Sequence, residues 1–416
     1  MQLISDLHLH SKYSRACSQN ISLENLSKWA KIKGLNLLGT GDFTHPLWLK
    51  ELKQNLKEER EGFYSFNEIL FALSTEVCNV FKSGGKERKV HHIILAPNFE
   101  IVDQINFLLS KFGDLKTDGR PILNLSAIEM IDYLKEISNE IEIIPAHVWT
   151  PYFGLFGSKS GFDSFEECYG DREKEVHAIE TGMSSDPAMN WRLSSLDKKQ
   201  ILSFSDSHSF WPWRLGREAT IFDLKKISYR NLVNAIRTGE GLIKTIETSP
   251  SYGKYHADGH RSCGIWFEPS QSLKYNNTCP KCGKKWTIGV MHRVEELADR
   301  PKNFIPKDRP PFYTLLPLSE LLATVYNTSP NSKKIDELYA TLIKNFKSEL
   351  DILLNVSFED LIKILPETIA KLLLQNRLGT LKIRPGYDGV YGKLILTNTE
   401  TFEGPDIKQQ TLSDFT

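Results

Sequence analysis

Two short pairs of His and Asp residues are the part of this sequence best suited to chemistry. His8 and His10 are separated by one residue, and so are Asp206 and His208. Each pair ends a stretch that predicts a buried strand, along which residues two apart point to the same side. Imidazoles and carboxylates that project together from strand ends are typical of a metal site. Divalent ions roughly 3.5–4 Å apart activate water at neutral pH and stabilise an in-line displacement, so the pairs indicate metal-dependent phosphoester hydrolysis.

Seven stretches predict short buried strands, and each carries a His or a carboxylate at or near its end. They are residues 3–10, 35–42, 70–76, 90–96, 141–147, 176–180 and 201–206. Apolar spacing and capping residues predict helices over 23–33, 99–112, 126–138, 187–198 and 228–238. Alternating strands and helices predict an α/β fold with a parallel sheet or barrel, in which functional side chains gather at the carboxyl ends of the strands. We therefore expect these side chains to meet at one site.

The chain divides into three predicted parts. Residues 1–247 contain the alternating strands and helices and form the metal-dependent catalytic domain. Turn residues near 248–253 introduce a Cys- and Gly-containing module over 248–300. After a proline-spaced connector, the part spanning 301–416 is predicted to be mainly helical over 318–378 and to form two short strands over 381–396.

The module over 248–300 predicts a structural zinc site. Cys279 and Cys282 are separated by two residues, and His260 and Cys263 repeat that spacing upstream. Three thiolates and one imidazole give a closed, tetrahedral zinc site. His256 and His292 also lie near, so the choice of histidine stays open.

Composition indicates a globular protein of a reducing compartment. Of 416 residues, 40% are hydrophobic and 25% charged, and Lys plus Arg equals Asp plus Glu at 52 each, so net charge does not favour nucleic-acid binding. Six cysteines, two of them in a Cys-x-x-Cys pair, fit metal binding better than a disulfide framework. Because Met1 leads directly into a predicted strand and no apolar run approaches about 20 residues, we expect a cytoplasmic protein without a membrane span.

Six ordered motifs over roughly residues 1–245 resemble the polymerase-and-histidinol-phosphatase (PHP) superfamily. They are residues 6–11 (Asp-Leu-His-Leu-His-Ser), 39–42 (Gly-Thr-Gly-Asp), 74–76 (Ser-Thr-Glu), 91–95 (His-His-Ile-Ile-Leu), 145–147 (Pro-Ala-His) and 205–208 (Ser-Asp-Ser-His). The resemblance implies a distorted seven-stranded (β/α) barrel that holds up to three metals. The motif at 39–42, Thr150-Pro151 after the Pro-Ala-His motif, Trp211-Pro212, and residues 214–218 (Arg-Leu-Gly-Arg-Glu) further resemble the endonuclease Q family.

The resemblance also implies the ligands. One metal would be held by the four residues expected to be essential for catalysis, which are His8, His10, Glu76 and Asp206. A second would share Glu76 and take His147 with either His91 or His92, because adjacent strand residues point to opposite faces. We favour His91 from its His-x-x-x-x-Ala spacing to Ala96. A third would sit near Asp42 and His208, although the family's Asp after the His-x-His pair is replaced here by residues 14–16 (Ser-Arg-Ala). Mixed His and carboxylate ligation suits zinc or manganese better than magnesium alone.

Several further residues have two open interpretations. Glu180 either orients a ligand histidine or caps the turn that follows it, and His45 is either a ligand or outside the site. Loop residues Tyr152, Trp211, Trp213 and Arg214 follow ligand-bearing strand ends and are expected to contact substrate. Their aromatic rings either stack on a base turned out of the duplex or pack the loops against the barrel.

The endonuclease Q resemblance implies a DNA repair enzyme. Such a protein would hydrolyse the phosphodiester 5′ of deaminated bases (uracil, hypoxanthine, xanthine) and of abasic sites, leaving 3′-hydroxyl and 5′-phosphate ends. Its partner would be damaged DNA, with a replication or repair clamp as a further one, and it would act as a monomer. The alternatives are a PHP-family small-molecule phosphoesterase and a non-enzymatic DNA-binding module with a degenerate barrel.

Overall fold

All seven predicted strands are present in the computed structural model, which describes residues 2–396. The strands are β1 Gln2–Asp6, β2 Leu37–Gly39, β3 Lys57–Arg60, β4 Phe63–Phe66, β5 Ile69–Ser83, β6 Lys86–Ala96, β7 Ile122–Leu123, β8 Glu142–Pro145, β9 Ala178–Glu180, β10 Gln200–Leu202, β11 Ala219–Asp223, β12 Leu242–Glu247, β13 Asp258–His260, β14 Ile265–Phe267, β15 Phe312–Thr314, β16 Ile383–Arg384 and β17 Lys393–Leu394. The helices are α1 Leu23–Lys33, α2 Pro46–Asn55, α3 Phe99–Leu109, α4 Ala127–Ile137, α5 Phe165–Tyr169, α6 Pro187–Asn190, α7 Tyr229–Thr238, α8 Pro269–Ser272, α9 Val290–Leu297, α10 Leu318–Val325, α11 Lys333–Asn345, α12 Glu349–Leu354, α13 Phe358–Leu361 and α14 Glu367–Arg377.

The main sheet is mixed, so the prediction of purely parallel pairing is wrong in part. Strand β1 pairs in parallel with β2, which pairs in parallel with β5, whereas β5–β6, β6–β8 and β1–β11 are antiparallel. The physical reason is clearest between β5 and β6, which are joined only by Gly84 and Gly85 at φ 58° and 74°. A two-residue turn with both φ values positive forms a hairpin, and a hairpin cannot connect parallel strands.

A short bridge brings the two His/Asp pairs together. Strands β9 and β10 form their own parallel ladder, and the chain beyond β10 meets the chain beyond β1 at Leu9 and Ser207. The Ser207 carbonyl accepts from the His10 N–H at 2.9 Å, and the His8 carbonyl accepts from the Ser207 N–H at 3.3 Å. The neighbours of Leu9, which are His8 and His10, therefore lie beside the neighbours of Ser207, which are Asp206 and His208.

The predicted helices begin within one residue of the expected positions, but two of them end early, since α3 ends at Leu109 instead of 112 and α6 ends well before 198. Helix α1 has the predicted bounds because the Ser22 side chain caps its first turn and Gly34 ends it at φ 100°. The predicted helix over 187–198 stops at Asn190. The Asn190 side chain donates to Ser185 Oγ and to the Asp186 carbonyl, and such local bonds compete with continuation of a helix.

The C-terminal helices pack around a core of their own and against α1. Helices α10–α14 confirm the helical prediction over 318–378, and β16 and β17 confirm the two short strands. Lys33 at the end of α1 is buried, and its ammonium lies 2.7 Å from Glu349 Oε1 and donates to the Pro212 carbonyl at 2.7 Å. The end of the predicted third part, 397–416, lies outside the described residues. Within residues 2–396, no helix is both long enough and apolar enough for a membrane crossing.

Candidate metal centre

Four of the predicted ligands converge in a first group. The ligand atoms of His8, His10, Glu76 and Asp206 all lie within 4.8 Å of one another. His10 Nε2 lies 3.1 Å from Asp206 Oδ1 and 3.3 Å from Glu76 Oε2, and the His8 Nε2 atom lies 3.5 Å from that same Glu76 oxygen. Two imidazoles and two carboxylates around one point form a donor set that suits a divalent ion.

Glu76 also belongs to a second group with His91 and His147. Its Oε1 atom lies 2.7 Å from His91 Nδ1 and 3.1 Å from His147 Nε2, while its Oε2 atom faces the first group. Glu76 lies within β5, opposite Ile93 of β6, so its side chain is fixed by the longest ladder of the sheet. One carboxylate that offers an oxygen to each group is the arrangement expected of two neighbouring metal ions.

The two groups fit metal ions by a direct structural observation. His8 Nε2 is buried and has no hydrogen-bond partner among the described residues. A buried polar atom normally has a partner, and here it points at two carboxylates. A metal ion at that point would satisfy it, whereas the identity of the metal stays a prediction.

The backbone at the strand ends is held in an uncommon conformation. Asp42, His147 and Asp206 have φ values of 47°, 32° and 47°, in the left-handed region that non-glycine residues rarely adopt. Such conformations persist where the surrounding contacts enforce them, and they cluster at functional sites. All three residues are among those predicted from the sequence to bind metal.

Of the two adjacent histidines, His91 is the one that faces the site. His92 Nδ1 lies 2.9 Å from Asn79 Oδ1, and His92 Nε2 lies 2.8 Å from the Tyr169 hydroxyl oxygen. Burial lowers the pKa of His92 to about 3, so its ring is neutral and structural. The preference for His91 thus agrees with the geometry.

Glu180 holds one histidine of each group. Its Oε1 atom lies 2.9 Å from His8 Nδ1, and its Oε2 atom accepts a hydrogen bond from the His147 backbone N–H at 2.7 Å. Of the two interpretations of this residue, the structure supports the acceptor that orients a ligand. Asp42 orients His10 of the first group in a similar way. Its Oδ1 atom lies 2.9 Å from His10 Nδ1, and its Oδ2 atom accepts a hydrogen bond from the Ser11 N–H at 2.6 Å.

The residues proposed for a third metal do not form such a group. Within the described chain, Asp42 and His208 fall outside every group of three or more close ligand atoms. His208 stacks edge-on against His10 with ring centroids 4.6 Å apart, and its Nδ1 lies 2.9 Å from the Asp206 carbonyl oxygen. His45 turns away, with its ring stacked on Tyr13 at 4.3 Å. A third metal therefore stays a prediction.

The shared and terminal carboxylates are ionised despite their burial. Burial alone would raise the pKa of Glu76, but the nearby His91 and His8 hold it well below its usual range. Burial alone would also raise the pKa of Asp206, but His208, the hydrogen bond with His10 and the nearby His8 together hold it well below its usual range. Ionised carboxylates are the form that binds metal ions.

Sequence reasoning missed Arg120, which touches the centre. Its Nη1 atom donates to Glu76 Oε2 at 3.2 Å. The residue precedes β7, a strand of only two residues, and lies in no recognisable motif. The pairing of β7 with β5 brings Arg120 next to Glu76, and this pairing cannot be read from the sequence.

The predicted zinc residues also converge. The ligand atoms of His260, Cys263, Cys279 and Cys282 lie within 4.8 Å of one another, with Cys282 Sγ 3.4 Å from His260 Nδ1. The hairpin of β13 and β14 positions the first pair, and a turn that ends at Gly283 positions the second. The other two candidate histidines are engaged elsewhere, because His256 contacts Ser251 and His292 pairs with Asp258. The geometry therefore favours His260 as the fourth ligand.

Of the predicted substrate-binding residues, two aromatic side chains are exposed, whereas Arg214 is held in an ion pair within the protein. Tyr152 is 49% exposed, and Trp211 is 37% exposed and stacked on Trp213 with centroids 5.3 Å apart. The two tryptophans line an apolar groove of about 480 Å³ between α1 and α11, together with Trp29 and Tyr339. Arg214 pairs with Glu320 at 3.1 Å and so joins the N-terminal part to α10. The positions of the two tryptophans are compatible both with stacking on an extruded base and with packing of their loop against the rest of the protein.

Two buried glutamates near the centre predict a pH effect on stability. Burial, reinforced for Glu218 by the charge of Glu247, raises the pKa of Glu218 well above its usual range, and burial raises the pKa of Glu247 to about 8. Because the folded state binds these protons more tightly than the unfolded chain does, stability falls as pH rises from the unfolded pKa, about 4.3, towards the folded one. Glu247→Gln should therefore lose less of its free energy of unfolding than the wild type between about pH 5 and 8. Denaturant unfolding across this range tests it, with the exposed Glu240→Gln as control; parallel curves for Glu247→Gln and wild type would contradict the prediction.

Comparison with known proteins gives matches over most of the chain. A family model described as the MJ0043 C-terminal domain matches residues 317–380. The uncharacterised protein MJ0043 of Methanocaldococcus jannaschii is 35% identical over 251 residues, which is 59% of this chain and 31% of that protein, so the match spans less than a third of this relative. The crystal structure of PfuEndoQ, a lesion-specific endonuclease from Pyrococcus furiosus, matches with a TM-score of 0.85 and 33% identity over 95% of each chain. A structure of endonuclease Q with a 27-mer duplex substrate and an abasic lesion at the active site matches with a TM-score of 0.86 and 32% identity over 96% of this chain and 97% of that one.

Proposed function

The chain belongs to the endonuclease Q family, and we propose that it is a metal-dependent DNA repair endonuclease. The proposed reaction is hydrolysis of the phosphodiester 5′ of uracil, hypoxanthine, xanthine or an abasic site, with 3′-hydroxyl and 5′-phosphate products. The observation that carries the proposal is the pair of ligand groups that share Glu76. We further propose that residues 1–247 form the distorted PHP barrel and that residues 248–300 bind zinc.

The residues of the two groups have separable roles in this reaction. His8, His10 and Asp206 would hold one ion, His91 and His147 a second, and Glu76 both. The bound ions would supply the Lewis acidity that activates water and stabilises charge on the phosphate. Glu180 fixes the ring of His8 and the backbone of His147, so the two groups keep a constant separation.

Recognition of a lesion would require the altered base to leave the stack. Turning a base out of the duplex costs a few kcal/mol, and less where the base is mispaired or single-stranded. The exposed rings of Tyr152 and Trp211 are the proposed contacts for the base, because aromatic faces stack on any base. Action as a monomer, a clamp partner and a cytoplasmic location stay predictions.

A substrate panel tests the proposed function. Duplexes with uracil, hypoxanthine or an abasic site, an undamaged duplex and a generic phosphate monoester are incubated with the protein and Mn²⁺, Zn²⁺ or Mg²⁺. We expect cleavage of the lesion-containing duplexes alone, its loss in a chelator, and faster cutting of mismatched uracil than of uracil paired with adenine. Hydrolysis of the monoester without DNA cleavage would favour the small-molecule phosphoesterase. Binding of DNA without any hydrolysis would favour a non-enzymatic module.

A further inference from the structure

The segment before β7 fixes Arg120 beside the shared carboxylate. The Pro121 carbonyl accepts a hydrogen bond from the Cys78 N–H at 2.9 Å, two residues beyond Glu76 on β5. On the other side, Asp118 Oδ1 accepts from the Arg120 backbone N–H at 3.1 Å. The backbone of Arg120 is therefore held at both flanks, and its side chain enters the centre from a fixed base.

The guanidinium of Arg120 is only partly used by the protein. Its Nη1 atom donates to Glu76 Oε2 at 3.2 Å, and its other nitrogens have no hydrogen-bond partner within residues 2–396. The side chain is 22% exposed, so part of it remains accessible to solvent. An arginine guanidinium is always protonated in proteins, so the group is a permanent cation.

An open guanidinium beside metal ligands has a definite chemistry. Arginine presents planar N–H donors whose spacing matches two oxygens of a phosphate, which a lysine ammonium does not reproduce. In a partly buried site, a fixed cation aimed at the position where charge develops lowers the barrier of phosphoryl-type reactions. A surface arginine such as Arg230 of α7 differs, because its side chain is 76% exposed and its Nε atom lies 3.6 Å from the half-exposed Glu140.

We propose that Arg120 is a catalytic residue that binds a non-bridging oxygen of the scissile phosphate while one of its N–H groups stays on Glu76. The proposal deepens the proposed function and rests on it. It assigns to Arg120 a contact with the substrate itself, in addition to the partial neutralisation of Glu76 that the geometry already gives. Loss of the guanidinium should then affect phosphate binding and turnover more than metal binding.

The test compares Arg120→Gln, Arg120→Lys and the control Arg230→Gln in the 416-residue chain. Three quantities are measured: bound metal, the single-turnover cleavage rate of a uracil-containing duplex, and inhibition by inorganic phosphate. We expect Arg120→Gln to keep the metal content of the wild type, to cut about 10²-fold more slowly, and to lose inhibition by phosphate. Arg120→Lys should recover part of the rate, and Arg230→Gln should match the wild type.

Each other outcome overturns the proposal. If the rate of Arg120→Gln falls only together with bound metal and excess metal restores it, Arg120 acts by neutralising Glu76 and not on the phosphate. If Arg120→Gln cuts at the rate of Arg230→Gln, Arg120 has no part in the reaction. If the wild type leaves every duplex intact, the proposed function fails first, and this result is distinct from a defect confined to the variant.

Discussion

Replacing Asp206 with alanine should abolish strand cleavage while leaving the binding of lesion-containing DNA largely intact. Asp206 closes the first ligand group, with Oδ1 at 3.1 Å from His10 Nε2 and 3.6 Å from His8 Nε2. Loss of a group that merely orients a ligand costs roughly 10–100-fold in activity, so loss of a ligand should cost more than about 100-fold. Binding should persist because most of the affinity for DNA comes from phosphate contacts distributed over the surface.

The left-handed backbone conformation of Asp206 makes a second variant necessary. Its φ of 47° is tolerated by Asp and Asn but strained for Ala, so Asp206→Ala risks a local rearrangement. Asp206→Asn keeps the shape and the backbone preference and removes the charge. Both variants should be inactive in single-turnover assays while retaining duplex binding, and Asp103→Ala on the exposed face of α3 should be unaffected. Cleavage by Asp206→Asn at nearly the wild-type rate would remove Asp206 from the metal centre.

The second large effect concerns the Cys/His group. The double variant Cys279→Ser/Cys282→Ser should lose one equivalent of zinc and lose the structure of the 248–300 module, without emptying the main centre. A closed zinc site supplies folding energy locally, about 10–16 kcal/mol of apparent binding energy in zinc-finger peptides. The apolar core beside it is small, since the buried cluster there contains only Ile265, Phe267, Cys279 and Trp286 among the described residues.

Metal analysis and limited proteolysis measure this effect. The double variant should contain less zinc and be cut within 248–300, whereas Cys168→Ala, which removes a buried thiol of α5, should retain all of its zinc. A double variant with the full zinc content of the wild type would show that these cysteines do not bind the ion. Loss of metal from both centres at once would show that the module is not independent of the main site.

The ligand groups could be predicted because their residue types lie at strand ends with fixed spacing. His8, His10 and Asp206 follow β1 and β10, and period-two alternation decides which side chains share a face. The same alternation separates His91 from His92. The two-glycine turn at Gly84 and Gly85 makes β5 and β6 a hairpin, so the sheet is mixed although alternating strands and helices predict a parallel one.

The residues that the sequence could not place depend on contacts between distant segments. The role of Glu180 becomes clear only from the packing of β9 beside the loop after β8, because its two carboxylate oxygens contact His8 and His147. Arg120 is assigned only through the pairing of β7 with β5. The groove at Trp211 likewise requires α11 to pack near α1, which no local pattern encodes.

The central claim, lesion-directed hydrolysis at the shared metal centre, is tested most directly by mapping the cut. A duplex with a single uracil is labelled at one end of the damaged strand, incubated with the metal-loaded protein, and resolved beside size markers on a sequencing gel. The account predicts one product, cut at the phosphodiester 5′ of the uracil with a 3′-hydroxyl end, and no product from the thymine-containing duplex. Cleavage 3′ of the uracil, or equal cleavage of both duplexes, would contradict it.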